Sequence, residues 1–238
     1  MSENIKEKTT KVFKVDLDSK ENQRILKPSV RPSNNQVHQV NEVAEKIDKL
    51  IKNAQYSNDD IVLNHNKIKE AFFSPFKLQL KSAQVFLSHS HADKNKALKV
   101  KGYLESETNR RVFIDSIFWD YKDDVLNELA KYDDTSKIKD AFTLILRESL
   151  EDMIKKCPYF VFLESNNSVS LNQGLSQTTH SAWIYEELKI ANTFIADTTL
   201  KESHIKAMRV SHDITNLLRR FKPISLNGLC NEIFSTLL

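Results

Sequence analysis

Glycine is scarce in this chain: 3 of 238 residues, beside 5 prolines. So few glycines exclude the Gly-rich phosphate loops of the Walker and Rossmann kinds, in which bare backbone must approach a phosphate closely. A nucleotide site here has to be built without one. Cysteine is nearly absent too: Cys157 and Cys230 stand far apart and form no metal-ligand spacing. No apolar run approaches the roughly 20 residues that a membrane-spanning helix needs. Charge of one sign is not in excess either, since 35 basic and 32 acidic residues leave a formal net charge of +3. That balance carries no footprint for nucleic acid or an anionic membrane, and short pairs such as Arg110-Arg111 and Arg219-Arg220 read as solvated faces. The polar start Met1-Ser2-Glu3-Asn4 has no signal-peptide character. These absences predict a cytoplasmic protein with neither nucleic acid nor membrane among its partners.

What is present is ordinary for a globular protein, with 40% hydrophobic and 28% charged residues. The length suits one domain of common size plus a smaller module. Three textures divide the chain. Residues 1–35 read as a polar, partly disordered arm, with one alternating patch, Lys11-Val12-Phe13-Lys14-Val15-Asp16-Leu17, that suits an edge strand. Pro28 and Pro32 interrupt it. Residues 36–80 read as a helical extension. There Val37, Val40, Val43, Ala44, Ile47, Leu50, Ile51 and Ala54 recur at three- and four-residue steps and lay an apolar stripe along a helix. The stripe has to be buried, either on the following domain or in a helical seam with a second copy. A second helix is expected over 59–73, capped by Asp59 and ending before Ser74-Pro75.

Residues 82–238 alternate short apolar runs with amphipathic stretches. Strands are expected at 85–87, 111–115 and 159–163, with helices over 93–104, 136–156 and 181–194. Farther on, the pattern suggests a strand at 195–200, helices at 201–210 and 213–221, a closing strand at 222–226 and a last helix at 229–238. Strands alternating with helices imply a parallel sheet with right-handed crossovers, an α/β fold. Ligands of such sheets sit at the carboxyl ends of the strands. Ser88, His89, Ser90, His91 and Asp93 follow the first of these strands. Asp115, Ser116, Ile117, Phe118, Trp119 and Asp120 follow the second. Glu164, Ser165, Asn166, Asn167 and Ser168 follow the third, and a Gln/Ser/Thr-rich stretch leads on to Trp183 and Glu187. Hydroxyls, carboxylates and two tryptophans on one edge suit a polar, aromatic ligand such as a nucleotide. His89, His91 and Asp93 have no further His or Cys at a useful spacing, so no metal is expected.

Four motifs carry a family resemblance. Val85-Phe86-Leu87-Ser88-His89-Ser90-His91-Ala92-Asp93-Lys94 resembles the opening V-F-(I/L)-S-(Y/H)-S-x-x-D-(K/R) of TIR (Toll/interleukin-1 receptor-like) domains. Val112-Phe113-Ile114-Asp115 is similar to their second strand, after which the mobile BB loop begins. The stretch from Met153 through Tyr159-Phe160-Val161-Phe162-Leu163 to Ser168 resembles the third strand, and Ser181-Ala182-Trp183-Ile184-Tyr185-Glu186-Glu187-Leu188 the S-x-W-x-x-x-E-(L/I) helix. The resemblance spans about 110 residues in the middle of the chain. It implies a flavodoxin-like TIR domain, a parallel sheet flanked by helices, here preceded by the small helical extension.

In enzymatic members of the family the Glu of W-x-x-x-E-L cleaves the nicotinamide–ribose bond of NAD+, a role that falls on Glu187. Ser88, His89, Ser90, Asp115 and Ser165 are then expected to bind substrate, together with Trp183 on the catalytic helix and Phe118 and Trp119 in the BB-like loop. NAD+ is a substrate and no cofactor is implied. The chemistry is coherent: departing nicotinamide starts as a cation and needs no general acid, while a carboxylate stabilises the oxocarbenium-like ribose left behind. Such members act in bacterial anti-phage defence. They homo-oligomerise on activation, and either deplete NAD+ or make a cyclic or variant ADP-ribose signal for a separate effector. The alternative from another class is a non-catalytic TIR module acting by self-association.

Overall fold

A computed structural model of the chain describes residues 10–26, 40–53, 55–57, 60–62, 64–76, 81–130, 136–171, 176–195 and 211–235. In chain order the elements begin with β1 Lys11–Asp16, α1 Lys20–Ile25, α2 Val40–Lys52, β2 Gln55–Ser57, β3 Asp60–Val62 and α3 His65–Phe73. The middle holds β4 Ala83–Ser88, α4 Lys94–Thr108, β5 Arg111–Ile114, α5 Ser116–Leu129, α6 Ser136–Lys156 and β6 Tyr159–Glu164. Then come β7 Ser170–Leu171, β8 Gln177–Thr179, α7 Ala182–Thr193, β9 His212–Asp213, α8 Thr215–Leu218, β10 Lys222–Pro223 and α9 Leu226–Ser235. The chain divides into two compact units, one drawn from 1–34, 83–114 and 151–238, the other from 35–82 and 115–150. Neither coincides with a single stretch of sequence texture.

The first unit is built on a five-stranded sheet in the order β10-β1-β6-β4-β5, with every neighbouring pair parallel. Helices flank it. If β4 counts as the first strand, β5 as the second and β6 as the third, the order is compatible with the flavodoxin-like 2-1-3-4-5 arrangement. The fourth place is filled by β1, from the N-terminus. Thus 11–16 is not the edge strand that its alternation suggests. It runs in full register with β6, from Lys11 opposite Tyr159 to Asp16 opposite Glu164, and β10 pairs on its other side. The physical reason lies in its burial: Val12, Phe13 and Val15, with Leu17 just beyond, are all buried. A parallel strand covered on both faces needs such near-continuous apolar character.

The second unit is helical, with a small hairpin. Of the described part of the α2 stripe, Val43, Ala44, Ile47 and Ile51 are buried and Leu50 is half-buried, and α2 packs on α3 and α5. That stripe is consumed within the unit. Phe72, Phe76, Tyr121 and Phe142 form an aromatic cluster whose ring centroids lie 4.9–5.1 Å apart. The helix expected from 59 starts later, because β2 and β3 pair as a hairpin and Asn64 takes the capping place, accepting from the Lys67 N–H at 3.1 Å.

A second difference concerns the loop expected after β5. Helix α5 begins there at Ser116, and Tyr121, Val125 and Leu129, four residues apart, are buried along one face. Phe118 and Trp119 therefore lie in the first turns of a helix rather than in a loop, and their side chains are outside the described residues. Near the C-terminus, 196–210, where a strand and a helix were expected, is outside them as well. The helix expected over 213–221 is a single turn, α8, and the last helix starts three residues early, at Leu226. Among the described residues no helix is long and apolar enough to cross a membrane.

Candidate functional site

Helix α7 carries Glu187. Its start is fixed by Ser181, whose hydroxyl accepts from the Ile184 N–H at 3.2 Å, an ordinary side-chain cap. Its end is fixed by Arg220, which donates to the carbonyls of Asn192 and Ile195 at 3.2 and 3.1 Å. A guanidinium there also complements the negative end of the helix dipole. Arg220 is thus a capping residue, not part of a solvated basic face. Ile184, Leu188 and Ala191 are buried, and Glu187 lies among them on the same side of the helix with 1% of its surface exposed. Trp183 and Glu186 are half-buried. Tyr185 stacks on His212 of β9, with centroids 4.5 Å apart and planes 15° from parallel.

The carboxyl ends of the central strands are laced together by polar side chains. Asp93, buried, accepts from the Ser165 hydroxyl at 2.5 Å and from the Asn167 side-chain amide at 3.0 Å. The Ser165 hydroxyl accepts in turn from the Asn167 and Ser168 N–H groups at 3.1 and 3.2 Å. Lys96 lies 3.4 Å from Asp93 and 3.1 Å from Asp18, and Asp18 accepts from the Asn166 N–H at 3.0 Å. The Asn166 hydrogen bond, seconded by Lys96, holds the Asp18 carboxyl below its usual range against an opposing effect of burial. One network therefore joins the segments that follow β1, β4 and β6.

Beside this network, at the ends of β1 and β6, a cavity of about 600 Å³ opens, lined among others by Asp16, Asp18, Glu164, Ser165, Asn166 and Gln177. Of the residues expected from sequence to bind or act on substrate, Ser165 alone lines it. Ser88 ends β4 one strand away; its hydroxyl is buried and has no hydrogen-bond partner among the described residues. His89, also buried, donates from Nδ1 to the Ser90 carbonyl at 2.6 Å, which sets its tautomer. Asp115 is buried and belongs to the second unit. Among the described residues no group of three His, Cys, Asp or Glu side chains is placed to hold a metal.

Comparison with protein-family models, with curated proteins and with solved structures finds no match. The site has to be read from its own chemistry.

Asp16, Asp18 and Gln177 are polar lining residues that sequence reading did not nominate. A usable signal was present: Lys11-Val12-Phe13-Lys14-Val15-Asp16 is an apolar strand ending in a carboxylate, the same feature that singled out Asp115 after β5. Taking the strand for an edge removed its end from consideration. Chemically, the assembled site offers carboxylate oxygens, hydroxyls and amides at the ligand edge of a parallel sheet.

Proposed function

We propose that the chain cleaves NAD+ at the nicotinamide–ribose bond, with Glu187 as the catalytic carboxylate, in the manner of the TIR domains its motifs resemble. The burial of Glu187 carries this reading. A glutamate on a helix is ordinarily solvated, whereas this one is 1% exposed. Taking a carboxylate out of water costs several kcal/mol, so such groups concentrate at functional sites. Ser88 adds support, since a buried hydroxyl with no partner among the described residues is usually paired by water or by a ligand group.

In the reaction the C1′–N bond breaks and its electron pair stays on nicotinamide, which leaves neutral. The cationic ribose is stabilised by Glu187, and water adds at C1′ and gives up a proton. Assembly on activation belongs to the same proposal. The test is nicotinamide release from NAD+, followed by chromatography with and without a crowding agent, for the parent and for Glu187→Gln. Release should fall at least about 100-fold, as for loss of a group that stabilises transition-state charge, while circular dichroism stays unchanged. Release that survives the substitution would remove Glu187 from the mechanism. A folded parent that releases nothing under either condition would end the enzymatic reading.

A further inference from the structure

The cavity at the ends of β1 and β6 has a chemical character of its own. Its volume, about 600 Å³, falls within the range of small-molecule pockets, roughly 300–1,000 Å³. Asp16 and Glu164 stand directly opposite each other in the parallel register. Like charges so placed destabilise a sheet. Among the described residues compensation is partial: Lys14 lies 3.7 Å from Glu164, and Lys96 serves Asp18 and Asp93, but neither lysine lines the cavity. Among the described residues no guanidinium lines it either. A phosphate would meet carboxylates there without a cation, whereas hydroxyl donors would meet acceptors.

The acceptors are also held in place. The Asp18 N–H donates to Asp16 Oδ1 at 2.8 Å, and the Gln177 amide donates to Glu164 Oε1 at 3.0 Å. An acidic residue at a strand end is how dinucleotide-binding sheets take hold of ribose hydroxyls.

We propose that this cavity binds a ribose of NAD+, with Asp16 and Glu164 accepting from its hydroxyls, and that the N-terminal strand is thereby part of the substrate site. The inference rests on the NAD+ reading. Glu187 does not line the cavity, so the ribose seated there is the one on the adenosine side, remote from the bond that breaks. The pyrophosphate stays outside the acidic wall.

A remote contact made equally in ground and transition states changes KM and leaves kcat alone. Asp16→Asn and Glu164→Gln keep shape and neutral hydrogen bonding but lose the charge-assisted acceptor. Each should raise KM for NAD+ about 10-fold with kcat within about twofold. With nicotinamide mononucleotide, which has no adenosine half, the ratio of variant to parent KM should be near 1. An unchanged KM for NAD+ in both variants, with the parent active, overturns the ribose assignment and leaves Glu187 untouched. Equal losses with both substrates overturn it as well, because they would report general damage. Should the parent release no nicotinamide, calorimetric titration with ADP-ribose decides: binding that Asp16→Asn weakens keeps the cavity assignment without the reaction, and no binding ends both.

Discussion

Removal of the first 17 residues is the most direct perturbation, since it takes β1 out of the sheet and leaves residues 84–194 in place. The magnitude follows from what β1 buries. Val12, Phe13, Val15 and Leu17 are all buried, and each such side chain contributes about 1.5–3 kcal/mol relative to exposure, or about 6–12 kcal/mol together. Compactness of the unfolded chain trims that figure, but the bare edge of β6 adds unpaired backbone groups in the other direction. A typical domain is stable by only about 5–15 kcal/mol. The truncated chain should therefore lose its cooperative transition, bind a hydrophobic dye and lose its near-ultraviolet dichroism. A synthetic peptide covering residues 10–18 should restore the transition in proportion to its concentration. Thermal and urea melts decide the matter. A truncated chain melting cooperatively within about 4 °C of the parent would correspond to a loss of only about 1–2 kcal/mol, and would show that β1 is an accessory rather than a member of the sheet.

The outer edge of β5 is closed by an ion pair between buried Lys101 and half-buried Glu105. Lys101 donates to Glu105 at 2.5 Å and to the Val112 carbonyl at 2.7 Å, and the Val112 N–H donates to Glu105 at 3.0 Å. Lys101→Met leaves the half-buried Glu105 without its cation and should cost about 1–3 kcal/mol in urea denaturation; a loss under about 0.5 kcal/mol would mean that water replaces the ammonium. Phe72→Ala, at the centre of the aromatic cluster, should cost about 3–5 kcal/mol by leaving a cavity, and a smaller shift in urea midpoint would indicate that the helices close over the gap. Burial, with a lesser effect of Cys230, pushes the Tyr103 hydroxyl up to about 12. Because the folded value exceeds the unfolded value near 10, stability from this group is intact below about pH 10 and is lost as pH rises toward 12. Tyr103→Phe should flatten that part of the alkaline stability profile, and an unaltered profile would rule out Tyr103 as its source.

Local periodicity made much of the fold legible. The apolar runs at β4, β5 and β6 and the helical spacing of α6 and α7 each report burial through neighbouring residues, which a single stretch of sequence contains. What stayed hidden depends on partners far away. Nothing within 11–17 says that β6 lies on one side and β10 on the other, so the patch looked like an edge strand. The β2–β3 hairpin was missed because its strands are three residues each, too short for alternation to show. At α5 the signal was present in the four-residue spacing of Tyr121, Val125 and Leu129, but resemblance to a family with a loop there took precedence over the pattern. For the site, Glu187 and Ser165 were nominated from motif and strand-end position. Asp16 and Asp18 were not, since their place follows from topology alone.

Recruiting a strand from the N-terminus is cheaper than it looks. Thr10 and Cys157, joined by a hydrogen bond at the start of the β1–β6 ladder, are 147 residues apart. Loop closure grows only as the logarithm of length, so drawing the strand from there rather than from a segment about 25 residues away costs about 1.5–2 kcal/mol more. The apolar side chains of the strand outweigh that several times. The fourth place in the sheet is therefore decided by side-chain pattern and not by proximity in the chain. Pattern, however, explains only Val12, Phe13 and Val15. It does not explain why the strand ends in Asp16 against Glu164, a pairing that works against the sheet. A stability requirement alone would favour an uncharged residue at that register. The acidic wall and the apolar strand thus answer to different demands on the same six residues, and Asp16→Asn, which leaves every buried contact of β1 in place, separates them.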